Sequence, residues 1–172
     1  MEGRVMRAVR AAIAALWATA LPAAAQPVHV EGIEIIDSGM YESPGGETIR
    51  NTDSPTGEMA LPTNKKLVAA TNDIAGKVGV EFGFRYVIKG KPAGAEVPLD
   101  FAFTYPEPRQ EPCACERPIT ASQFSETKKI GETIYLGYSF KKFWEILPGT
   151  WTFTVSYDGK EMAKHSFTVS AP

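Results

Sequence analysis

Cysteine and histidine are the scarcest chemistry-bearing residues in this chain, two of each. So few cysteines exclude a disulfide-dense miniprotein, whose small core is stapled by several bridges. So few histidines exclude a His-rich zinc or copper site. They also leave little for acyl-transfer chemistry, which needs a nucleophile, a base and an orienting group within hydrogen-bond reach. An excess of charge of either sign is missing too, because 18 Lys and Arg stand against 20 Asp and Glu, a formal net charge of -2. Phosphate backbones and anionic lipids are bound by basic clusters, and here the basic residues gather no further than the pairs Lys65-Lys66, Lys128-Lys129 and Lys141-Lys142. Nucleic-acid binding is therefore not expected. Lysine pairs on an acidic domain read as solvated faces or sheet-edge gatekeepers.

A long apolar run is absent as well. The nearest thing to one, Ala11 to Ala25, follows the basic start Arg4, Arg7 and Arg10 and is broken by Pro22 just before the small residues Ala23 and Ala25. A membrane span needs roughly 20 consecutive apolar residues, and this run is shorter. The pattern reads as a secretory signal peptide, residues 1–25, cleaved after Ala25. No cysteine stands at the junction for lipid attachment. The expected product is a soluble, mildly acidic domain, residues 26–172, exported to the periplasm or secreted, without a transmembrane segment.

That length suffices to bury about two-thirds of the unfolded surface in one core, so neither metal nor disulfide is needed for stability. Ser43 to Lys66 is rich in Gly, Pro, Ser, Thr and Asn and reads as a long loop or excursion. From Val78 a period of two sets in: Val78, Val80, Phe82, Phe84, Tyr86 and Ile88 fall on one face of a strand. Val97, Leu99, Phe101, Phe103 and Tyr105 repeat the pattern, and Gly90-Lys-Pro-Ala-Gly94 between them carries the turn residues expected of a hairpin. Further strands follow at Ile134, Leu136, Tyr138 and Phe140, at Trp151, Phe153, Val155 and Tyr157, and at Ala163, His165, Phe167 and Val169. Asp158-Gly159 between the last two supplies the positive-φ pair of a tight type I′ hairpin. Val28 to Ile36, interrupted at Gly32 by a bulge or a sheet switch, and Leu67 to Thr71 are weaker strands. Only Phe143 to Leu147, before Pro148-Gly149, leaves room for a helical turn. About seven strands at this spacing predict an all-β, antiparallel two-sheet sandwich.

Candidate sites are few. His29 and His165 lie on strands, where a lone histidine is usually a satisfied core or edge residue. Asp37, Glu42, Asp100 and Glu145 are the carboxylates that a glycosidase-like reading would gather at one end of the sandwich, at a separation sequence spacing does not reveal. Cys113-Ala-Cys115 sits in the proline-punctuated loop Pro106 to Pro118. In an oxidising compartment it favours a disulfide, and a bridge between residues two apart closes a small, strained ring. Thiol-disulfide exchange or capture of a soft ion such as Cu(I) are its functional options, although Glu111 and Glu116 beside it would raise the thiol pKa values and no Met or His adjoins it. Tyr135 has outward register and Trp144 lies at the Phe140 to Glu145 corner, where Trp144 and Phe143 are expected to plug the end of the core. Gly79, Gly83 and Gly137 fall opposite the large apolar residues of their strands, suggesting bulges or close approach by another segment, with the 43–66 excursion as a candidate cover.

The order of short motifs, Gly39-Met-Tyr41, Gly79 to Tyr86, Gly90 to Gly94, Val97-Pro-Leu99, Tyr105-Pro106, Tyr138-Ser-Phe140 and Leu147 to Trp151, resembles an exported bacterial family, domain of unknown function 3859. The likeness runs from about Val28 to Val169. It implies an immunoglobulin-like β-sandwich, supplies no activity and names no acid, base or ligand. Cys113-Ala-Cys115 is not among the motifs that carry it. The expectation is a non-catalytic binding or envelope-associated module with no cofactor and a protein or envelope component as partner. The alternative is a periplasmic thiol-redox or soft-metal protein using Cys113 and Cys115.

Overall fold

The computed structural model describes residues 27–43, 48–50, 58–60, 65–109 and 119–172. Its strands are β1 (His29–Glu42), β2 (Thr48–Arg50), β3 (Glu58–Ala60), β4 (Lys66–Ala69), β5 (Asp73–Ile74), β6 (Glu81–Lys91), β7 (Glu96–Arg109), β8 (Ile119–Lys129), β9 (Thr133–Ser139), β10 (Gly149–Tyr157) and β11 (Lys160–Val169). Among the described residues, the one helical turn is 3-10, Phe143–Glu145. Four strands form one sheet in the order β4-β1-β6-β9, and five form the other, β5-β11-β10-β7-β8. All neighbours are antiparallel except β5 and β11. Strands β2 and β3 make a separate antiparallel pair inside the 43–66 excursion.

The interior explains the sandwich. Phe82, Phe84, Tyr86 and Ile88 of β6 face Leu99, Phe101 and Phe103 of β7, and all are buried. Phe82 lies at the centre, with ring centroids 5.3 Å from Phe140, 5.7 Å from Trp151, 5.5 Å from Phe153 and 5.3 Å from Phe167. Tyr138 joins the same cluster, 5.1 Å from Trp151. Offset and edge-on packing of this kind adds about 0.5–1.5 kcal/mol per pair beyond area burial. Trp151 satisfies its indole N–H on the Leu147 carbonyl at 2.8 Å, which ties the chain before β10 to the core.

Two expectations are corrected. The strands around Phe82–Ile88 and Val97–Tyr105 do not form a hairpin: β6 pairs with β1 and β9, whereas β7 pairs with β8 and β10. The Gly90–Gly94 connection, with a cis Lys91–Pro92 bond, carries the chain from one sheet to the other. A period of two fixes which face of a strand is buried and is silent about which strand lies beside it, and both strands bury their large residues in the same core. A second crossing, Ile130-Gly131, runs alongside. Gly94 N–H donates to the Ile130 carbonyl at 2.9 Å, Ile130 N–H to Ala95 at 2.9 Å and Gly131 N–H to Ile88 at 3.0 Å. The other correction is Val78, which is 45% exposed in a turn before β6 instead of extending its buried face.

Four strands were not expected: β2, β3, β5 and β8. The sequence of β8 is mostly polar, with Ile119 and Phe124 its large apolar residues, and Phe124 stacks on Phe101 at 5.0 Å. The first strand runs past Ile36 to Glu42, with register shifts at Val30/Gly32 and at Ile35/Asp37. The Asp158-Gly159 turn has φ of 49° and 72°, and Tyr157 pairs with Lys160 across it, the two-residue type I′ geometry.

Candidate functional site

The outer face of the four-stranded sheet carries a charged, tyrosine-rich cluster assembled by strand register. The second bulge of β1 places Asp37 opposite Arg85, and Gly39 and Tyr41 then face Gly83 and Glu81 on β6. On the far side Tyr135 stands opposite Arg85, Gly137 opposite Gly83 and Ser139 opposite Glu81. A row of three glycines thus crosses the sheet between two rows of functional side chains. A Cβ on Gly83 would lie 2.3 Å from the Leu136 carbonyl oxygen and 2.5 Å from the Gly137 Cα, so β6 and β9 approach too closely for any side chain there. A Cβ on Gly137 would meet the Tyr135 hydroxyl at 2.0 Å, so the tyrosine ring occupies the space that glycine leaves.

Above this floor the groups pair off. Arg85 Nε donates to both Asp37 oxygens, at 2.9 and 3.1 Å, and its terminal nitrogen reaches Oδ2 as well. Tyr41 donates its hydroxyl to Asp37 Oδ1 at 2.6 Å. The Arg85 hydrogen bond, reinforced by that of Tyr41, holds the Asp37 carboxyl below its ordinary range against the opposing effect of burial. Burial first, and the Asp37 carboxylate second, push the Tyr41 phenol well up. Tyr41 meets Tyr135 edge-on at 4.9 Å. Lys65, at the end of the excursion, forms an ion pair with Glu81, bonds Ser43 and sits 5.2 Å over the Tyr135 ring. Ser43 in turn donates to Glu81 at 2.8 Å. Burial, then the nearby Glu81 carboxylate, raise the Tyr135 phenol well above its usual value. Its hydroxyl is buried without a hydrogen-bond partner among the described residues.

Other candidate residues fall elsewhere. Cys113 and Cys115 lie outside the described residues, as does the 1–25 leader. The four carboxylates are dispersed: Asp37 belongs to the cluster, Glu42 is exposed at the end of β1, Asp100 accepts from Ser125 on the other sheet, and Glu145 is 3% exposed beneath the 3-10 turn. His29 is exposed opposite Lys91. His165 is half-buried, 4.7 Å from Phe167, and pairs through Nε2 with Asn72 Oδ1 at 2.8 Å, with burial lowering its pKa. Tyr135 has the outward register but is covered by its neighbours. Phe143 is 77% exposed, so it does not plug the core, while Trp144 is half-buried. The glycine expectation splits. Gly83 and Gly137 mark close approach by a strand and a ring, and Gly79 lies in open space at φ 91° in the turn before β6. Gly90 packs against the His29 carbonyl, Gly94 and Gly149 adopt positive φ, and Pro148 is exposed beside Gly149.

Arg85, Tyr41, Lys65 and Glu81 were not among the candidates. Alternation along β6 does set Glu81 and Arg85 on one outward face, which is the signal that was available. Their partners on β1 depend on two bulges and on a strand pairing separated by 40 positions or more, neither of which has a local signature.

The family model described as domain of unknown function, DUF3859, matches residues 29–169. The chain belongs to this family. No curated protein matches the chain. Among solved structures, the DUF3859 chain is similar to an immunoglobulin-like protein from Pseudomonas aeruginosa, at 23% identity and a TM-score of 0.54, covering 86% of this chain and 99% of that one. That likeness establishes the immunoglobulin-like sandwich. A second match, the alkylpurine DNA glycosylase AlkC of Pseudomonas fluorescens, has 16% identity and a TM-score of 0.37 over 58% of this chain and 28% of that one, too low for any inference. The DUF3859 fold therefore supplies the scaffold, and the chemistry has to be argued from the residues it presents. In the Asp37 cluster the strongest acceptor is saturated by Arg85 and Tyr41, an arrangement that fixes strands to one another and leaves the carboxylate poorly suited to take a proton.

Proposed function

We propose that this DUF3859 chain is an exported, non-catalytic binding module of the cell envelope. The observation that carries the reading is the pairing of its polar groups: Asp37, Arg85, Tyr41, Glu81, Lys65 and Ser43 bond one another across β1, β6 and the residues that end β1 and precede β4. A catalytic acid or base needs a free lone pair or proton poised at a substrate, whereas these groups spend theirs on the scaffold. Among the described residues, the interior between the sheets is lined by aromatic and aliphatic side chains. Export is supported by the basic-apolar-small order of residues 1–25.

The test is cell fractionation of the tagged full chain, with the N-terminus of the product determined by mass spectrometry. Recovery outside the cytoplasm with the chain starting at Gln26 supports the reading. Retention of an intact chain in the cytoplasm overturns export. Thiol titration of the same product, followed by Cu(I) retention with and without reductant, decides against the binding-module reading if Cys113 and Cys115 cycle or hold metal.

A further inference from the structure

One end of the sandwich carries an exposed aromatic in a basic setting that the sequence shows only in pieces. The corner after β9 and the loop before β6 are locked side by side. Phe140 N–H donates to the Val80 carbonyl at 3.0 Å, and Gly79 N–H donates to the Phe140 carbonyl at 2.8 Å. Close by, a Cβ on Gly76 would come within 3.0 Å of the Ile146 side chain. Within the corner, buried Glu145 turns Oε2 back onto the N–H groups of Lys141 and Lys142, at 2.5 and 3.0 Å. The carboxylate thereby fixes the backbone from which Lys141, Lys142 and Phe143 project.

All three of those side chains are exposed, and Phe143 keeps 77% of its surface in water. Across the shared hydrogen bonds Lys77 and Val78 are exposed too, Val78 at 45%. Lys77, Lys141 and Lys142 form no ion pair with another described residue. What reads along the chain as one lysine pair is thus joined in the fold by Lys77, giving three exposed lysines, without an ion pair among the described residues, on the two hydrogen-bonded segments that carry Phe143 and Val78. Scattered single exposed apolar residues are ordinary on any protein surface. Two of them on adjoining segments that also carry three exposed lysines, in a chain of net charge -2, are a localised exception.

We infer that this corner docks the protein onto an anionic lipid surface. Phe143 and Val78 enter the boundary between headgroups and acyl chains, and Lys77, Lys141 and Lys142 face the lipid phosphates. The charge complementarity is direct: ammonium groups near an anionic bilayer gain attraction within a Debye length, while apolar tips gain by leaving water. The inference deepens the envelope reading above and rests on it.

Co-sedimentation of the exported chain with vesicles tests it, using equimolar phosphatidylethanolamine and phosphatidylglycerol against phosphatidylcholine alone. Binding to the anionic vesicles, weakened by salt and absent from the zwitterionic ones, is expected. Each of Lys77→Gln, Lys141→Gln and Lys142→Gln should weaken partitioning by roughly fivefold, and Phe143→Ala by about tenfold. Equal affinity for both vesicle types overturns the inference without recourse to any variant. So does wild-type partitioning by a folded triple lysine variant, or retention on a soluble anionic polysaccharide with no retention on vesicles. A chain that is exported but ignores phosphatidylglycerol defeats this inference alone. A chain that never leaves the cytoplasm defeats the envelope reading whatever the vesicles show.

Discussion

The two sheets share one core and differ on their outer faces. On the five-stranded sheet the outer face is a field of small polar side chains, with Thr152 and Ser166 at 3.0 Å and Ser125 on Asp100, all in exposed settings. On the four-stranded sheet the outer face is itself packed: Tyr41 is buried at 3%, Tyr135 is covered, and Asp37, Arg85, Glu81 and Lys65 bond across strands. One sheet is therefore half-buried and the other is buried on both faces over part of its area. The sequences reflect it. Trp151-Thr-Phe-Thr-Val155 in β10 alternates cleanly, while β6 inserts Gly83 and Arg85 where a solvated strand would carry Thr or Lys. The lesson is that an outward register on this fold does not mean an exposed residue.

The largest test of that contrast lies in the core common to both sheets. Trp151→Ala should cost about 3–5 kcal/mol in denaturant unfolding, because it removes the ring that Phe82, Tyr105, Tyr138 and Phe140 pack against. Next comes Gly83→Ala, expected to cost about 1–3 kcal/mol since its methyl group would collide with the backbone of β9. Gly32→Ala, where nothing lies within 4 Å, should be neutral or slightly stabilising by the same measurement. If both glycines tolerate alanine equally, the packed outer face is not rigid.

Asp37→Asn ranks third. Its loss should be about 1–2 kcal/mol at neutral pH, discounted from a fully buried charged pair because Arg85 is 35% exposed. Asp37 has its carboxyl lowered in the folded state, so its contribution is present above the unfolded carboxylate pKa of about 3.9 and disappears as pH falls through the folded value. Urea titrations of both proteins across this range should therefore converge in acid. A gap that persists at the lowest pH would mean that the carboxylate charge is not what stabilises the cluster. The smallest effect belongs to the other sheet: Thr152→Val should change stability by less than about 0.5 kcal/mol, because its hydroxyl partner is exposed to water.

The same contrast explains what could be read from the chain. Strands such as β10 and β11, with one wet face, announce themselves through alternation, and Asp158-Gly159 announces the turn between them. Strand β8 does not, because its two large apolar residues, Ile119 and Phe124, stand five positions apart among polar ones, and a strand defined by its neighbour's backbone has no hydrophobic period to display. The pairing of β6 is not legible in the sequence, because a glycine-proline connection serves a hairpin and a sheet crossing alike. The Asp37 cluster was legible only as separate residues. In the sequence Asp37 is one carboxylate among several, Tyr135 an outward ring and Gly83 and Gly137 anomalies, and what unites them is a register set by two bulges in β1. The cysteine pair and the leader remain readings of the sequence, because they fall outside the described residues.

The paired crossings at Gly90–Gly94 and Ile130-Gly131 govern how the chain reaches this state. Because each sends the strand that follows it into the opposite sheet, β6 and β7 cannot zip together as they leave the ribosome, and neither can β8 and β9. The β10–β11 hairpin is the one long ladder whose strands are adjacent in sequence across a two-residue turn. Most of the remaining sheet must wait for partners far along the chain, so loop closure precedes the contacts that reward it. The topology thereby places folding in the millisecond-to-second regime of non-local β proteins, with the C-terminal hairpin as its earliest ordered piece.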